Sequence, residues 1–155
     1  MIMGFAVLLA AAVLTNDVKS ARITSRSSDF DRQEGVVLFE GDVAVRYSDG
    51  YEMFADQMYM FLSKSNELGR VVALGNVVIS NGLRTGSCAL ATYRRKKGEI
   101  EMFGDGTNVL ARLEDRGEHA SELKGSRIRF WLGSEQVEVE NSQIAVERRE
   151  GEKLL

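Results

Sequence analysis

The sequence repeats one short pattern in which two glycines, six residues apart, enclose an apolar segment and are followed by Asp or Asn. Three copies occupy residues 35–42, 69–76 and 98–105, and a looser copy, two residues longer, occupies residues 133–142. The copies begin about 30 to 35 residues apart, a spacing typical of proteins built from stacked structural repeats. The chain is therefore expected to fold as a series of similar units.

Apolar and polar side chains alternate on both sides of the glycine pairs, as in half-buried β-strands. Val43 and Val45 follow the first pair, for example, and the polar turn Asp49-Gly50 comes next. Asp-Gly provides the positive φ of a tight hairpin, and we expect each glycine–Asx pair to form a turn as well. The chain has no proline, and no segment after residue 22 has a helical apolar period. These features predict an all-β fold.

Length and composition favour one folded domain, which we place at residues 22–147, followed by a charged tail at residues 148–155. The 155 residues are 44% hydrophobic and 28% charged, which is typical of a folded domain rather than a disordered chain. The net charge of −3 argues against general nucleic-acid binding, because such proteins are usually basic. A single cysteine, Cys88, excludes an internal disulfide framework.

The N-terminal segment, residues 1–21, has the character of an export signal. Residues 2–14 are apolar apart from Gly4, and polar residues follow. Thirteen residues are short for a membrane-spanning helix, which needs about 20, but suit the core of a signal peptide. No Lys or Arg precedes the apolar run, so a short uncleaved anchor is the alternative. Either form predicts export.

Several segments resemble the OstA-like domain of the lipopolysaccharide (LPS) transport family. The resemblance is carried by residues 23–30 (ITSRSSDF), 36–45 (VVLFEGDVAV), 55–58 (ADQM), 117–121 (GEHAS) and 123–128 (LKGSRI). The family pattern is a strand, Gly-Asp/Asn-Val-x-Val/Ile, a polar turn, and a second strand headed by small residues. Its members include the periplasmic bridge (A) component, the membrane-anchored C component and the N-terminal domain of the outer-membrane D component.

The resemblance covers almost everything after the signal-like segment and implies a half-open antiparallel β-jelly roll, bent like a folded sheet and built from about four two-strand units. It implies a periplasmic protein in which an apolar groove shelters the acyl chains of LPS or a similar glycolipid during passage across the periplasm, as part of a transport bridge to the outer membrane. It also implies that other OstA-like domains are partners. Two alternatives stay open, a C-type component tethered by its N-terminus and a structural β-repeat domain that binds no lipid.

Alternation identifies the side chains that would line such a groove. The set chosen as the lipid-binding groove is Phe39, Val43, Val45, Met58, Met60, Val77, Ile79, Ala91, Ile128 and Phe130. The same alternation places Val72, Leu74 and Ala89 on the inner face and Trp131 on the outer face or at the groove mouth. An ordinary packed core would show the same alternation, so the groove itself rests on the resemblance.

A folded sheet that does not close leaves unpaired strands at both ends. We expect these assembly edges at residues 23–30, which include Ile23 and Ser25, and at residues 143–146, which include Ile144 and Val146. Strand addition there would join domains head to tail, with other OstA-like domains or with copies of this chain.

Charged residues alternate on the outer strand faces, and basic side chains such as those of residues 94–97 either remain solvated or meet lipid phosphates. Catalysis finds no support, because no motif pairs Cys88 with the single histidine, His119. No Cys/His spacing of a metal site occurs, and no cofactor is expected. The sequence predicts a binding protein rather than an enzyme.

Overall fold

The computed structural model describes residues 21–47, 50–65, 67–117, 120–131 and 136–146. The signal-like segment up to residue 20, His119 and the charged tail lie outside the described residues. No helix of the described part is both long and apolar enough to cross a membrane.

All regular elements of the described residues are β-strands, as the alternation predicted. The first six are β1 (Ala21–Thr24), β2 (Ser27–Asp31), β3 (Val36–Tyr47), β4 (Glu52–Leu62), β5 (Leu68–Ser80) and β6 (Arg84–Arg94). The remaining six are β7 (Glu99–Phe103), β8 (Ala111–Asp115), β9 (Ser121–Gly125), β10 (Arg127–Trp131), β11 (Val137–Glu140) and β12 (Gln143–Val146).

The strands form one antiparallel sheet in which the long strands β3 to β6 lie in the middle, and β3 and β6 each pair with two short strands. At one end β1 and β2 pair with the two halves of β3. At the other end β6 pairs with β8 through its first half and with β7 through its second half. Beyond β6 the order is β7-β10-β11 on one branch and β8-β9-β12 on the other.

The first two glycine–Asx pairs are bends inside strands rather than the turns we expected, whereas the third, Gly104-Asp105, leads into a turn in which Asp105 Oδ1 accepts hydrogen bonds from Thr107 N and Val109 N. Gly41 and Asp42 in β3 have φ of 81° and 47°, and Gly75 and Asn76 in β5 have φ of 79° and 48°. The ladder register shifts at both places, as in a β-bulge, but the strand continues in the same direction. Two consecutive left-handed residues therefore redirect the strand without reversing it.

The bends fall on one line, which we call the fold line, and divide the sheet into two leaves. The first leaf contains β2, β7, β10, β11 and residues 36–40, 57–62, 68–74 and 90–94 of the long strands. The second leaf contains β1, β8, β9, β12 and residues 43–47, 52–55, 77–80 and 84–88. Buried residues of both leaves join in one hydrophobic core.

The short strands continue this pattern. The chain crosses the fold line between β7 and β8 at Gly104, between β9 and β10 at Ser126, and between β11 and β12 at Asn141. Main-chain hydrogen bonds tie these crossings together, from Gly104 N to Ser126 O and from Ser126 N to Glu140 O. Each sequence repeat is thus one strand that crosses the fold line and a second that returns, which confirms the folded, open antiparallel sheet.

Candidate functional site

The inner surface of the first leaf carries two apolar rows that run across its strands. Residues directly opposite in an antiparallel ladder share a face, so the register itself defines a row. The row nearest the fold line is Phe39, Met58, Ala73, Ala91, Met102, Ile128 and Val139. The row nearest the open side, called the first rim row, is Phe30, Val37, Met60, Val71, Tyr93, Ile100, Phe130 and Val137.

The second leaf repeats this arrangement with smaller side chains. Its rim row is Ile23, Val45, Met53, Ile79, Gly86, Leu113 and Leu123. Val43 pairs with Ala55, and Val77 with Cys88, beside the fold line. The rows of both leaves meet in the core, where Met102 of the first leaf reaches Gly86 of the second.

The ten residues predicted to line a groove all lie in these rows or beside the fold line. Nine are buried and Phe130 is half-buried. The sequence therefore identified side chains of the interior. Their burial is equally typical of an ordinary packed core, so it does not by itself indicate a groove.

The wider inward assignment was wrong in the middle of two strands. Val72 and Leu74 are half-buried on the opposite face, while Val71 and Ala73 are buried. Ala89 is likewise half-buried, and its neighbour Cys88 is buried. When the second repeat is aligned on the first at their glycine–Asx pairs, Val71 and Ala73 occupy the positions of the buried residues Val37 and Phe39.

A cavity of about 70 Å³ separates the two rim rows and is partly open to solvent. Its apolar walls come from both leaves, and it is lined by Tyr51, Ile79, Ser80, Asn81, Arg84, Gly86, Leu113, Phe130, Trp131 and Val137. Gly86, the one position of the second rim row without a side chain, lies in this lining and leaves the room that Met102 fills beside it. We call this opening the mouth cavity.

Sequence reasoning found only part of the mouth cavity. Ile79 and Phe130 were predicted to face inward, and Trp131 was considered for a groove mouth. Tyr51 and Arg84 were missed because they flank turns, where alternation assigns no face. The one available signal was the pair of hairpin turns around Gly50 and Gly82, since turns at one edge of a sheet lie close together.

Hydrogen bonds fix the Asn81-Gly82 turn that precedes Arg84. Gly82 has φ of 94°, and Asn81 Oδ1 accepts a 2.8 Å hydrogen bond from Arg84 N. Arg84 Nε then donates a 3.0 Å hydrogen bond to Asp115 Oδ2 on the neighbouring strand β8. Gly117 N and Arg84 both stabilise the Asp115 carboxylate and hold its pKa below the usual value.

The outer face of the first leaf carries a compact charge network. Arg127 Nη2 lies 2.7 Å from Glu101 Oε2, and Arg129 lies 3.9 Å from the same oxygen. Glu99 and Glu101 are buried, and a hydrogen bond between the two carboxyl groups raises the pKa of Glu99. These outward charges, expected to be solvated, are instead paired across three strands.

The described residues form neither a reactive cysteine site nor a metal site beside the apolar interior. Burial raises the pKa of the Cys88 thiol to about 12, so it is not a nucleophile at neutral pH. Among the described side chains no group of His, Cys, Asp and Glu is arranged to hold a metal. The basic residues 95–97 lie in the β6–β7 turn, away from the mouth cavity lining.

The four predicted assembly-edge residues lie on or beside terminal strands. Ile23 pairs with Val45 through β1, and Ser25 follows between β1 and β2. Ile144 and Val146 belong to β12, which pairs only with β9 in the described sheet. Ile23 is fully buried and Ser25 is 9% exposed, so this edge offers main-chain groups rather than free side chains.

Comparisons with known proteins agree with this architecture. The family described as LptA/(LptD N-terminal domain) LPS transport protein matches residues 22–143. LptH of Pseudomonas aeruginosa, the LptA-homologous periplasmic component of the LPS transport device, has a similar structure, with a TM-score of 0.68 at 13% identity over 83% of this chain and 94% of that chain. No curated protein matches the sequence. The jelly-roll prediction is confirmed, and the chain belongs to the LptA/LptD N-terminal-domain family of LPS transport proteins.

Proposed function

We propose that this chain holds the acyl chains of LPS, or of a similar glycolipid, between its two leaves and passes the lipid along a bridge to the outer membrane. Membership of an LPS transport family supports this role. The observation that carries it is the mouth cavity, because apolar side chains of both leaves border it and it opens to solvent. An amphiphile can place its chains between such walls and keep its sugars in water.

Acyl chains require the leaves to separate. The mouth cavity holds about 70 Å³, whereas an engineered protein cavity that binds benzene, a molecule much smaller than an acyl chain, holds about 150 Å³. Phe39, Met58 and Ile128 fill the interior behind it and are fully buried. Methionines are unbranched and adaptable, so Met58, Met60 and Met102 would repack along an inserted chain at small cost.

The apolar contribution is large enough to support capture. Each buried CH₂ contributes about 0.8 kcal/mol, so a long acyl chain contributes on the order of 10 kcal/mol at most. Separation of the leaves reduces this gain, because it breaks contacts between the rows. Release into water would be slow, whereas transfer to a similar apolar groove keeps the chains buried. The family is one of transport proteins and not of enzymes, and this role needs no chemical step.

Location and tethering follow from the N-terminal segment. Residues 2–14 have the length and composition of a signal-peptide core, which supports a periplasmic domain beginning near residue 22. The alternative, a tether formed by the same segment, predicts a protein that keeps residues 1–21. N-terminal sequencing of the exported protein distinguishes the two.

Strand addition between domains would join them into the proposed transport bridge. The edges β1, β2, β11 and β12 each pair with one strand in the described sheet, so each has a side without a ladder. Pairing of one domain's β11 and β12 with another's β2 and β1, respectively, would extend both leaves and continue the apolar rows. Such head-to-tail contacts do not close and produce rods or mixed bridges with other OstA-like domains.

Native mass spectrometry of the purified protein, with and without added LPS, tests the binding role. We expect one LPS molecule per domain, lost when the lipid's acyl chains are removed by alkaline hydrolysis. If neither form binds while the protein assembles with itself or with other OstA-like domains, the chain is a structural β-repeat domain and the lipid-binding role is wrong.

A further inference from the structure

Among the described residues that line the mouth cavity, Arg84 is the one that carries a charge. Ile79, Leu113, Phe130 and Val137 provide apolar walls around it. The Arg84 side chain is about half exposed, at 49%. A cation beside an apolar opening matches a ligand whose apolar part is joined to an anionic group.

The hydrogen bonds around Arg84 position its guanidinium group. Nε donates to Asp115 Oδ2 at 3.0 Å, and Asp115 Oδ1 accepts a 2.8 Å hydrogen bond from Gly117 N. Both carboxylate oxygens are therefore occupied, and the carboxylate acts as a fixed support on one side of the guanidinium. Arginine has five N–H donors, so the bond to Asp115 leaves the Nη groups available for a second acceptor.

Other arginines of the second leaf do not share this placement. Arg112 on β8 has similar exposure, 44%, but its Nη2 binds Glu122 at 3.0 Å and also contacts Glu114. Arg46 on β3 faces Glu52 and lies over the Phe54 ring. Neither residue lines the mouth cavity. Arg84 is thus distinguished by position and by its donors, not by charge alone.

We propose that Arg84 binds the phosphate headgroup of the amphiphile whose chains enter between the leaves, and so makes this site selective for phosphorylated over neutral lipids. This inference rests on the lipid-binding role proposed above. A planar guanidinium donates two parallel hydrogen bonds to phosphate oxygens, which gives both strength and direction. Arg84 would fix the headgroup at the rim while the rim rows contact the chains.

Competition experiments with native mass spectrometry test the inference. The probes are bis-phosphorylated lipid A, enzymatically dephosphorylated lipid A with the same acyl chains, and inorganic phosphate. We expect the wild-type protein to prefer the phosphorylated lipid by roughly 10- to 100-fold, the effect of hydrogen bonds to a charged group. Arg84→Gln should bind both lipids equally, and Arg84→Lys should keep part of the preference because it retains the charge.

Arg112→Gln is the matched control, since it removes an arginine of similar exposure on the same leaf, and it should keep the wild-type preference. An unchanged preference in Arg84→Gln, or an equal loss in Arg112→Gln, would overturn the inference. Arg84-dependent binding of inorganic phosphate without any lipid preference would assign a free-anion site and also overturn it. Failure of the wild-type protein to bind either lipid would instead overturn the lipid-binding role itself, and this inference with it.

Discussion

Asn76 Nδ2 donates a 2.9 Å hydrogen bond to Asp56 Oδ2 and thereby joins the bends of two neighbouring strands on the fold line. Gly75, beside it, has φ of 79°, and a Cβ there would lie 2.5 Å from Asp56 Oδ2. The bend thus depends on a left-handed glycine against which an acidic side chain packs.

Gly75→Ala should destabilise the fold more than Gly82→Ala. Gly82 also has positive φ, at 94°, but nothing lies within 4 Å of a Cβ built there. The left-handed conformation costs roughly 1–2 kcal/mol for either alanine, and only Gly75→Ala adds the clash with Asp56. Urea unfolding of both variants measures the difference. Equal losses of unfolding free energy would show that the contact on the fold line contributes nothing.

Glu101→Gln should destabilise the first leaf, whereas Glu99→Gln should have little effect or stabilise it at pH 7. Glu101 accepts hydrogen bonds from Arg127 at 2.8 Å and lies within 2.7 Å of its Nη2. Loss of hydrogen bonds between charged groups costs about 1–3 kcal/mol. The Glu99 carboxyl has a raised pKa in the folded protein because it shares a hydrogen bond with Glu101. Chemical unfolding at pH 7 compares the two variants, and a larger loss for Glu99→Gln would contradict this account.

The same pair predicts a pH dependence. A group whose pKa is raised on folding stabilises the fold fully below its unfolded pKa, and this contribution is lost as pH rises through the raised value. The wild-type protein should lose this contribution of Glu99 as pH rises, whereas the Glu99→Gln variant has no such contribution to lose. The unfolding free energy of the variant, relative to that of the wild-type protein, should therefore increase between acidic and neutral pH. Unfolding free energies measured across this range check the sign. A relative stability that decreases with pH would show that Glu99 is preferentially ionised in the fold.

The sequence predicted the fold well because its repeats mark three of the four units with a glycine–Asx pair, and because apolar and polar residues alternate along the strands. It could not distinguish a bend from a turn, since left-handed glycine and Asx residues occur in both. The alternation in fact runs unbroken through the bend, from buried Val71 and Ala73 to buried Val77 and Ile79, so Val72 and Leu74 were assigned to the wrong face although the pattern itself was sound. Arg84 could not be found because its role depends on β10 and β11 of the opposite leaf, which only the tertiary fold brings near.

Ile79→Arg should abolish lipid capture with limited loss of strand content. Ile79 lines the mouth cavity, and a charge placed among its apolar walls is costly to bury beside an acyl chain. Val78→Arg is the matched control, because Val78 is the adjacent, half-buried residue on the opposite face of β5. Circular dichroism verifies folding and co-purified LPS is then quantified for both variants. Wild-type lipid levels in a folded Ile79→Arg protein would show that acyl chains do not pass this opening.

Truncation after Asn141 should leave a folded domain that no longer assembles. It removes β12, which pairs with residues 121–124 of β9 at the end of the second leaf. The core residues of the other strands remain, so thermal unfolding should stay cooperative. Light scattering over a range of protein concentrations compares the truncated and full-length proteins. Unchanged assembly of the truncated protein, or a full-length protein that stays monomeric with every OstA-like partner, would contradict assembly through this edge.

The most direct test of lipid binding between the leaves uses Trp131, the single tryptophan of the chain, which lines the mouth cavity. Titration with LPS should shift its fluorescence to shorter wavelength and protect it from acrylamide, because acyl chains replace water beside the ring. De-acylated LPS should cause neither change. If intact LPS binds, as shown by native mass spectrometry, but leaves both the emission and the quenching of Trp131 unaltered, the lipid does not enter between the leaves at this mouth and the central claim is wrong.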